Sequence, residues 1–141
     1  MYVIMKLVHY IEDEKDQIFV EILNTLMSLS QNMNGVKVIN EMLNVLKSPE
    51  CRKMIIGKIL EDPIKFMEDM YSNYAFQYII ANWDFSITKP LFEKAISNVT
   101  YLSTQKYASN SIESVLVHAP FKFFDIYIRE IKDDILSTLF D

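Results

Sequence analysis

Two five-residue blocks of this sequence carry side chains suited to recognition: Asn73-Tyr74-Ala75-Phe76-Gln77 and, 36 residues later, Ser109-Asn110-Ser111-Ile112-Glu113. Residues four apart on a helix share a face, one turn apart. Asn73 and Gln77 would therefore present two carboxamides side by side, each with donors and an acceptor. That pair can flank the edge of a planar heterocycle. Tyr74, one position round the helix, can hold a flat ring against its own. In the second block Ser109 and Glu113 take the edge positions and Asn110 the position between them. An ionised carboxylate only accepts, so Glu113 suits an edge with adjacent N–H groups, as guanine offers on its Watson–Crick side. Ala75, Phe76, Ile79, Ile80, Ile112, Val115 and Leu116 are expected to face a core. Asn73 and Ser109 could alternatively be helix caps, and Glu113 a solvated charge.

Two earlier blocks fall at corresponding places with weaker chemistry. Val36-Lys37-Val38-Ile39-Asn40 puts one apolar and one amide group at the edge positions. Lys37 could lay its stem on a ring and send its ammonium to a phosphate. Met1-Tyr2-Val3-Ile4-Met5 has no polar edge group, and Tyr2 offers stacking alone.

The blocks must be positioned by helices. Ile18, Phe19, Ile22, Leu23, Leu26 and Leu29 recur at three- and four-residue spacing, as do Ile39, Met42, Leu43 and Leu46, and Leu91, Phe92, Ala95, Ile96, Val99 and Leu102. Each stripe needs a packing partner. Pro49, Pro90 and Pro120 are expected to open helices, Ser48 and Thr88 to cap them, and Pro63 to break one. Small residues precede the blocks at Gly35, Ser72 and Ala108, 37 and 36 apart, and Leu29, Phe66 and Leu102 lie six residues before each. Self-similarity at this period indicates stacked two-helix units with a continuous core. The expected architecture is all-α, an α-solenoid of stacked units of about 36 residues: a half repeat at 1–13, repeats at 14–48, 49–85 and 86–119, and a half repeat at 120–141. Neither end reads as a polar cap, so a fragment of a longer array is expected, with head-to-tail self-association through the incomplete ends.

Composition narrows the function. Two glycines in 141 residues exclude Gly-rich phosphate loops and dinucleotide fingerprints. One cysteine and two distant histidines, His9 and His118, build no metal site, and no cofactor is expected. No Ser/His/Asp or Cys/His arrangement supports an enzyme. No apolar run approaches the roughly 18 residues of a membrane span. The net charge of −5 opposes a phosphate-driven interaction, unless Lys6, Lys37 and Lys106 gather on one face.

At the two strong blocks, and in KYASNSIESVL, the sequence resembles the Pumilio (PUF) family, whose helical repeats each read one RNA base with two or three side chains. Asn73-Tyr74-Ala75-Phe76-Gln77 matches the family's uracil-reading pattern and Ser109-Asn110-Ser111-Ile112-Glu113 its guanine-reading pattern. The resemblance implies an RNA-binding set of Asn73, Tyr74, Gln77, Ser109, Asn110 and Glu113, with weaker places at Val36, Lys37, Asn40 and Tyr2. Repeats of this family read 3′ to 5′, so the implied element is 5′-G-U-N-N-3′, part of a UGU core. The resemblance further implies single-stranded RNA in mRNA 3′ untranslated regions as partner, repressor or deadenylase proteins as co-factors of regulation, and a cytoplasmic or nucleolar setting. The rival reading is a helical-repeat scaffold of the armadillo or HEAT sort that binds a protein segment, which the acidic balance suits.

Overall fold

The computed structural model describes residues 2–140, apart from the side chains of Tyr2, Tyr127, Ile135, Thr138, Leu139 and Phe140. Every regular element among the described residues is helical. The order is α1 (Tyr2–Leu7), a 3-10 turn (Val8–Tyr10), α2 (Gln17–Asn24), α3 (Leu26–Ser30), α4 (Gly35–Val45), α5 (Pro49–Ile59), α6 (Pro63–Glu68), α7 (Ser72–Asn82), α8 (Phe85–Ser97), α9 (Val99–Ser103), α10 (Ala108–His118) and α11 (Phe121–Phe140).

The period holds, but each whole unit contains three helices rather than two. The stripe expected to form one helix is broken at Thr25, at Leu60–Asp62 and at Asn98, leaving the short α3, α6 and α9. The breaks have local causes. Pro63 opens α6 behind Asp62, whose carboxylate accepts from the Lys65 N–H at 3.4 Å. Thr25 and Asn98 turn their side chains back onto the preceding helix, to the carbonyls of Glu21 and Lys94. Such back-bonding competes with helix propagation.

The packing is a two-row stack. α1, α4, α7 and α10 lie side by side in order, and α2, α5, α8 and α11 form the second row. Each short helix packs on the first-row helix of its own unit (α3 on α4, α6 on α7, α9 on α10), and α3 also meets α7 and α6 also meets α10. Phe19, Phe66, Phe76, Phe92, Ile39, Ile55, Met42 and Met67 are fully buried between the rows. Removing apolar area of this kind from water yields about 25 cal/mol per Å², which explains why one continuous core runs through units that are individually too thin to fold.

The recurrent small residues have a steric reason. Each first-row helix starts against the preceding short helix. A Cβ added to Gly35 would lie 2.2 Å from the Leu29 carbonyl oxygen. Ser72, at the same place in the next unit, donates its hydroxyl to the Phe66 carbonyl at 2.6 Å. Gly35–Leu29 and Ser72–Phe66 are thus the contact pairs behind the six-residue spacing.

Ser48 caps α5 as expected, accepting from Cys51 N–H at 3.3 Å, and burial pushes the Cys51 thiol above its ordinary pKa. Three other expectations are corrected. Pro90 lies inside α8 rather than at its start; the helix begins at Phe85, and Pro90 simply lacks the N–H that would reach the Ser86 carbonyl. Thr88 does not cap; it is buried in α8 and donates to the Asp84 carbonyl at 3.2 Å. Leu116 is exposed rather than packed, because no described first-row helix follows α10 to cover the place that Leu43 and Ile80 bury on α4 and α7. Apolar side chains are also exposed at both ends of the stack, Val3, Ile4 and Leu7 on α1 and Phe121, Ile126 and Ile128 on α11.

Candidate nucleic-acid interface

The row α4, α7, α10 turns one face to solvent, and the blocks singled out by spacing lie along it. The face is set by amphipathicity: Val38, Ile39 and Met42, Ala75, Phe76 and Ile79, and Ser111, Ile112 and Val115 point inward and are buried. The middle residues of the blocks are all exposed: Lys37, Tyr74 (59% exposed) and Asn110. The second edge residues grade outward along the row, with Asn40 and Gln77 half-buried and Glu113 exposed. Gln77 and Glu113 take corresponding positions on the adjacent helices α7 and α10.

The first edge residues sit deeper. Val36 is buried, Ser109 half-buried, and Asn73 is fully enclosed. Asn73 donates both amide hydrogens to backbone carbonyls, Asp69 and Met70, at 2.8 Å each. Its carbonyl oxygen accepts from Gln77 Nε2 at 2.9 Å. Ser109 makes the matching backward contact, donating to the Lys106 carbonyl at 3.1 Å. On α4, Val36 offers no such group, and the Asn40 carbonyl oxygen is buried without a hydrogen-bond partner. Met1 and the side chain of Tyr2 lie outside the described residues.

Sequence spacing overlooked the turn that delivers the α4 and α7 blocks. Asp69 accepts from the N–H groups of Tyr71 and Ser72 at 2.8 and 3.0 Å. Asn32 does the same for Asn34 and Gly35 at 2.9 and 3.0 Å. These Asx turns fold the chain back from the short helix into the long one. The signal was an Asx three residues before the small residue. Neighbouring first-row elements are also tied across the face, Tyr78 to Asn44 at 3.0 Å and His9 Nε2 to Glu41 at 2.7 Å.

The electrostatics of the face differ from those of the chain. α7 carries no charged residue, α10 only Glu113 besides its terminal His118, and α4 only Lys37 and Glu41. The second row holds far more: Lys122, Asp125, Arg129, Glu130, Lys132, Asp133 and Asp134 on α11 alone. Lys6 and Lys106 are exposed, and Lys106 lies over the Tyr107 ring at 5.3 Å. Beside it, the Tyr101 phenol donates to Glu68 at 2.8 Å, a bond that raises its pKa. Such a face suits stacking and edge hydrogen bonds rather than phosphate capture. Among the described residues no group of three or more His, Cys, Asp or Glu side chains could hold a metal ion, and no helix is long and apolar enough to cross a membrane.

Residues 98–132 match the family model of the Pumilio-family RNA binding repeat. Over this segment the chain is similar to Pumilio (PUF) repeat proteins. The matched PUF unit begins at the α8–α9 break and takes α9, α10 and the first part of α11, one helix out of phase with the 86–119 unit drawn from periodicity. The matched model is that of an RNA binding repeat. Over 134 residues the chain is 25% identical to a Pumilio domain-containing protein of Schizosaccharomyces pombe, covering 94% of this chain and 20% of that protein. It is 23% identical over 108 residues to pumilio homolog 8 of Arabidopsis thaliana, named as chloroplastic, covering 77% and 21%. The chain thus spans about a fifth of the length of the curated relatives it matches. Its PUF fold superposes on the Puf4 RNA binding domain bound to the HO endonuclease 3′ UTR recognition sequence with a TM-score of 0.82 at 14% identity, over 92% of this chain and 40% of that one. PUF-8 in complex with PBE-RNA gives 0.78 at 16% identity, over 96% and 40%.

Proposed function

We propose that this chain binds single-stranded RNA along the exposed face of α4, α7 and α10, one base per helix, with a preference for a G-U step within a UGU-type element of mRNA. The observation that carries the reading is the alignment of Tyr74, Gln77, Asn110 and Glu113 on adjacent, nearly uncharged helices. Glu113 reads guanine, because an exposed carboxylate accepts from two adjacent N–H groups. Gln77 with Tyr74 reads the base on its 3′ side, Tyr74 by stacking. Lys37 and Asn40 stack and read loosely, and Val36 supplies only a wall. Post-transcriptional regulation of the bound mRNA, in concert with repressor or deadenylase proteins in the cytoplasm, goes with this reading.

Binding then rests on stacking, about 1–3 kcal/mol per base, more than on counterion release. The test is a fluorescence anisotropy titration of the chain with a short labelled RNA containing UGU and one containing UCU, at several salt concentrations. The UGU strand should bind about tenfold more tightly, the weight of one base-edge contact, with a shallow salt dependence. Equal affinity for both strands, or a steep loss with salt, contradicts base reading. No binding to either favours a protein-binding scaffold.

A further inference from the structure

We propose that this chain associates head to tail with a second copy of itself, α1 of one molecule seating against α10 and α11 of the next. Residues at matching places along the stack carry different burial at its two ends. Ile39, Phe76 and Ile112 take the same inward place on α4, α7 and α10, and all three are buried. Their counterpart on α1 is Ile4, which is exposed. Val3 and Leu7, at neighbouring inward places of α1, are exposed too. The cause is a missing cover. α4, α7 and α10 each pack on the short helix before them, and among the described residues no short or second-row helix precedes α1.

The opposite end shows the converse. Val8, Leu43 and Ile80 occupy one place and are buried where each first-row element meets the next. Leu116, at that place on α10, is exposed. In the second row Phe19, Ile56 and Phe92 lie 37 and 36 residues apart and are buried. Ile128, a further 36 residues on in α11, is 49% exposed. α11 is about as long as α8 and α9 together, so it fills the second-row and short-helix places of a unit that has no first-row helix among the described residues. Each end therefore lacks what the other end is. α11 of one copy and α1 of the next complete a unit, and the joint repeats the α4–α7 and α7–α10 contacts already present within the molecule. Little charge has to leave water to form it. α1 carries only Lys6, and α10 only Glu113 and its terminal His118. Such a contact joins two different faces, so it builds rings where the rotation closes and open filaments where it does not.

The test is sedimentation equilibrium of the intact chain at rising concentration, without RNA, together with Ile4→Glu and Ile128→Glu. Both positions are exposed in the single molecule, so each variant should keep its circular dichroism and its urea midpoint. The unaltered chain should grow from monomer into dimers and longer species. Each variant alone should associate at least roughly tenfold more weakly, because the joint would bury an unpaired carboxylate. A mixture of the two should form a one-to-one dimer and stop there, since each supplies the face that the other has lost. Val3→Lys and Leu116→Lys give a second pair on the same two faces, with the same expected mixture. A chain that stays monomeric at every concentration leaves these faces to another occupant, such as a further repeat unit, and overturns the inference. Loss of association in only one member of a pair would mean that a face pairs with itself, and association that neither variant weakens would place the contact elsewhere. Either result overturns the head-to-tail joint, as does a mixture that forms no dimer.

Discussion

Between Asn73 and Glu113 the outward block positions hold Tyr74, Gln77, Asn110 and Glu113, each able to stack or to hydrogen-bond, whereas along α4 the corresponding positions hold Lys37 and Asn40, with Val36 buried beside them. The two regions share their backbone. Both first-row helices begin at a residue pressed against the preceding short helix, both are turned in by an Asx side chain, and both bury the same inward positions. The difference lies only in what the outward positions carry. A repeat frame therefore separates stability, which the inward residues supply everywhere, from recognition, which can be strong in one unit and slack in the next.

The largest expected effect tests the shared frame. Phe76→Ala should cost about 3–5 kcal/mol of stability and Ile39→Ala about 2–5 kcal/mol, the range for emptying a buried site, measured by urea unfolding followed by circular dichroism. A small loss at either position would mean that the two regions do not share one core. Glu113→Ala probes the difference. It should weaken binding to a UGU strand by about 1–3 kcal/mol and flatten the preference for G, whereas Asn40→Ala should move it by less than about 0.5 kcal/mol, the ordinary scale for a position outside a critical contact. Equal losses would erase the distinction between the regions. The comparison is sharpened by transplanting one block onto the other: V36N, K37Y and N40Q together should give α4 a preference for uracil of about 1–3 kcal/mol. If α4 stays indifferent, its backbone differs from that of α7 in a way that matters.

Much of this organisation is legible in the residues themselves. The apolar stripes, the period and the recurrent small residue follow from the demands of a stacked core, and those demands act on residue type at fixed spacing. The outward placement of Tyr74, Gln77 and Glu113 follows from the same periodicity. Other features depend on partners that spacing does not reveal. The breaks at Thr25 and Asn98 come from side chains that turn back onto their own helix. Pro90 is carried inside α8 because the helix starts five residues earlier, at Phe85. Asn73 matches a base-reading pattern by type, yet its hydrogens go to two backbone carbonyls, and carbonyls leave no mark on a sequence.

The placement of the RNA can be tested without altering the protein. A short UGU-containing RNA carrying 4-thiouridine at the base 3′ of the G would be irradiated with the intact chain, and the attached peptide identified by mass spectrometry. Attachment on α7 at Tyr74, or at its neighbours on α4 and α10, is the expected result. Attachment confined to the charged helices α5, α8 and α11 would contradict the account.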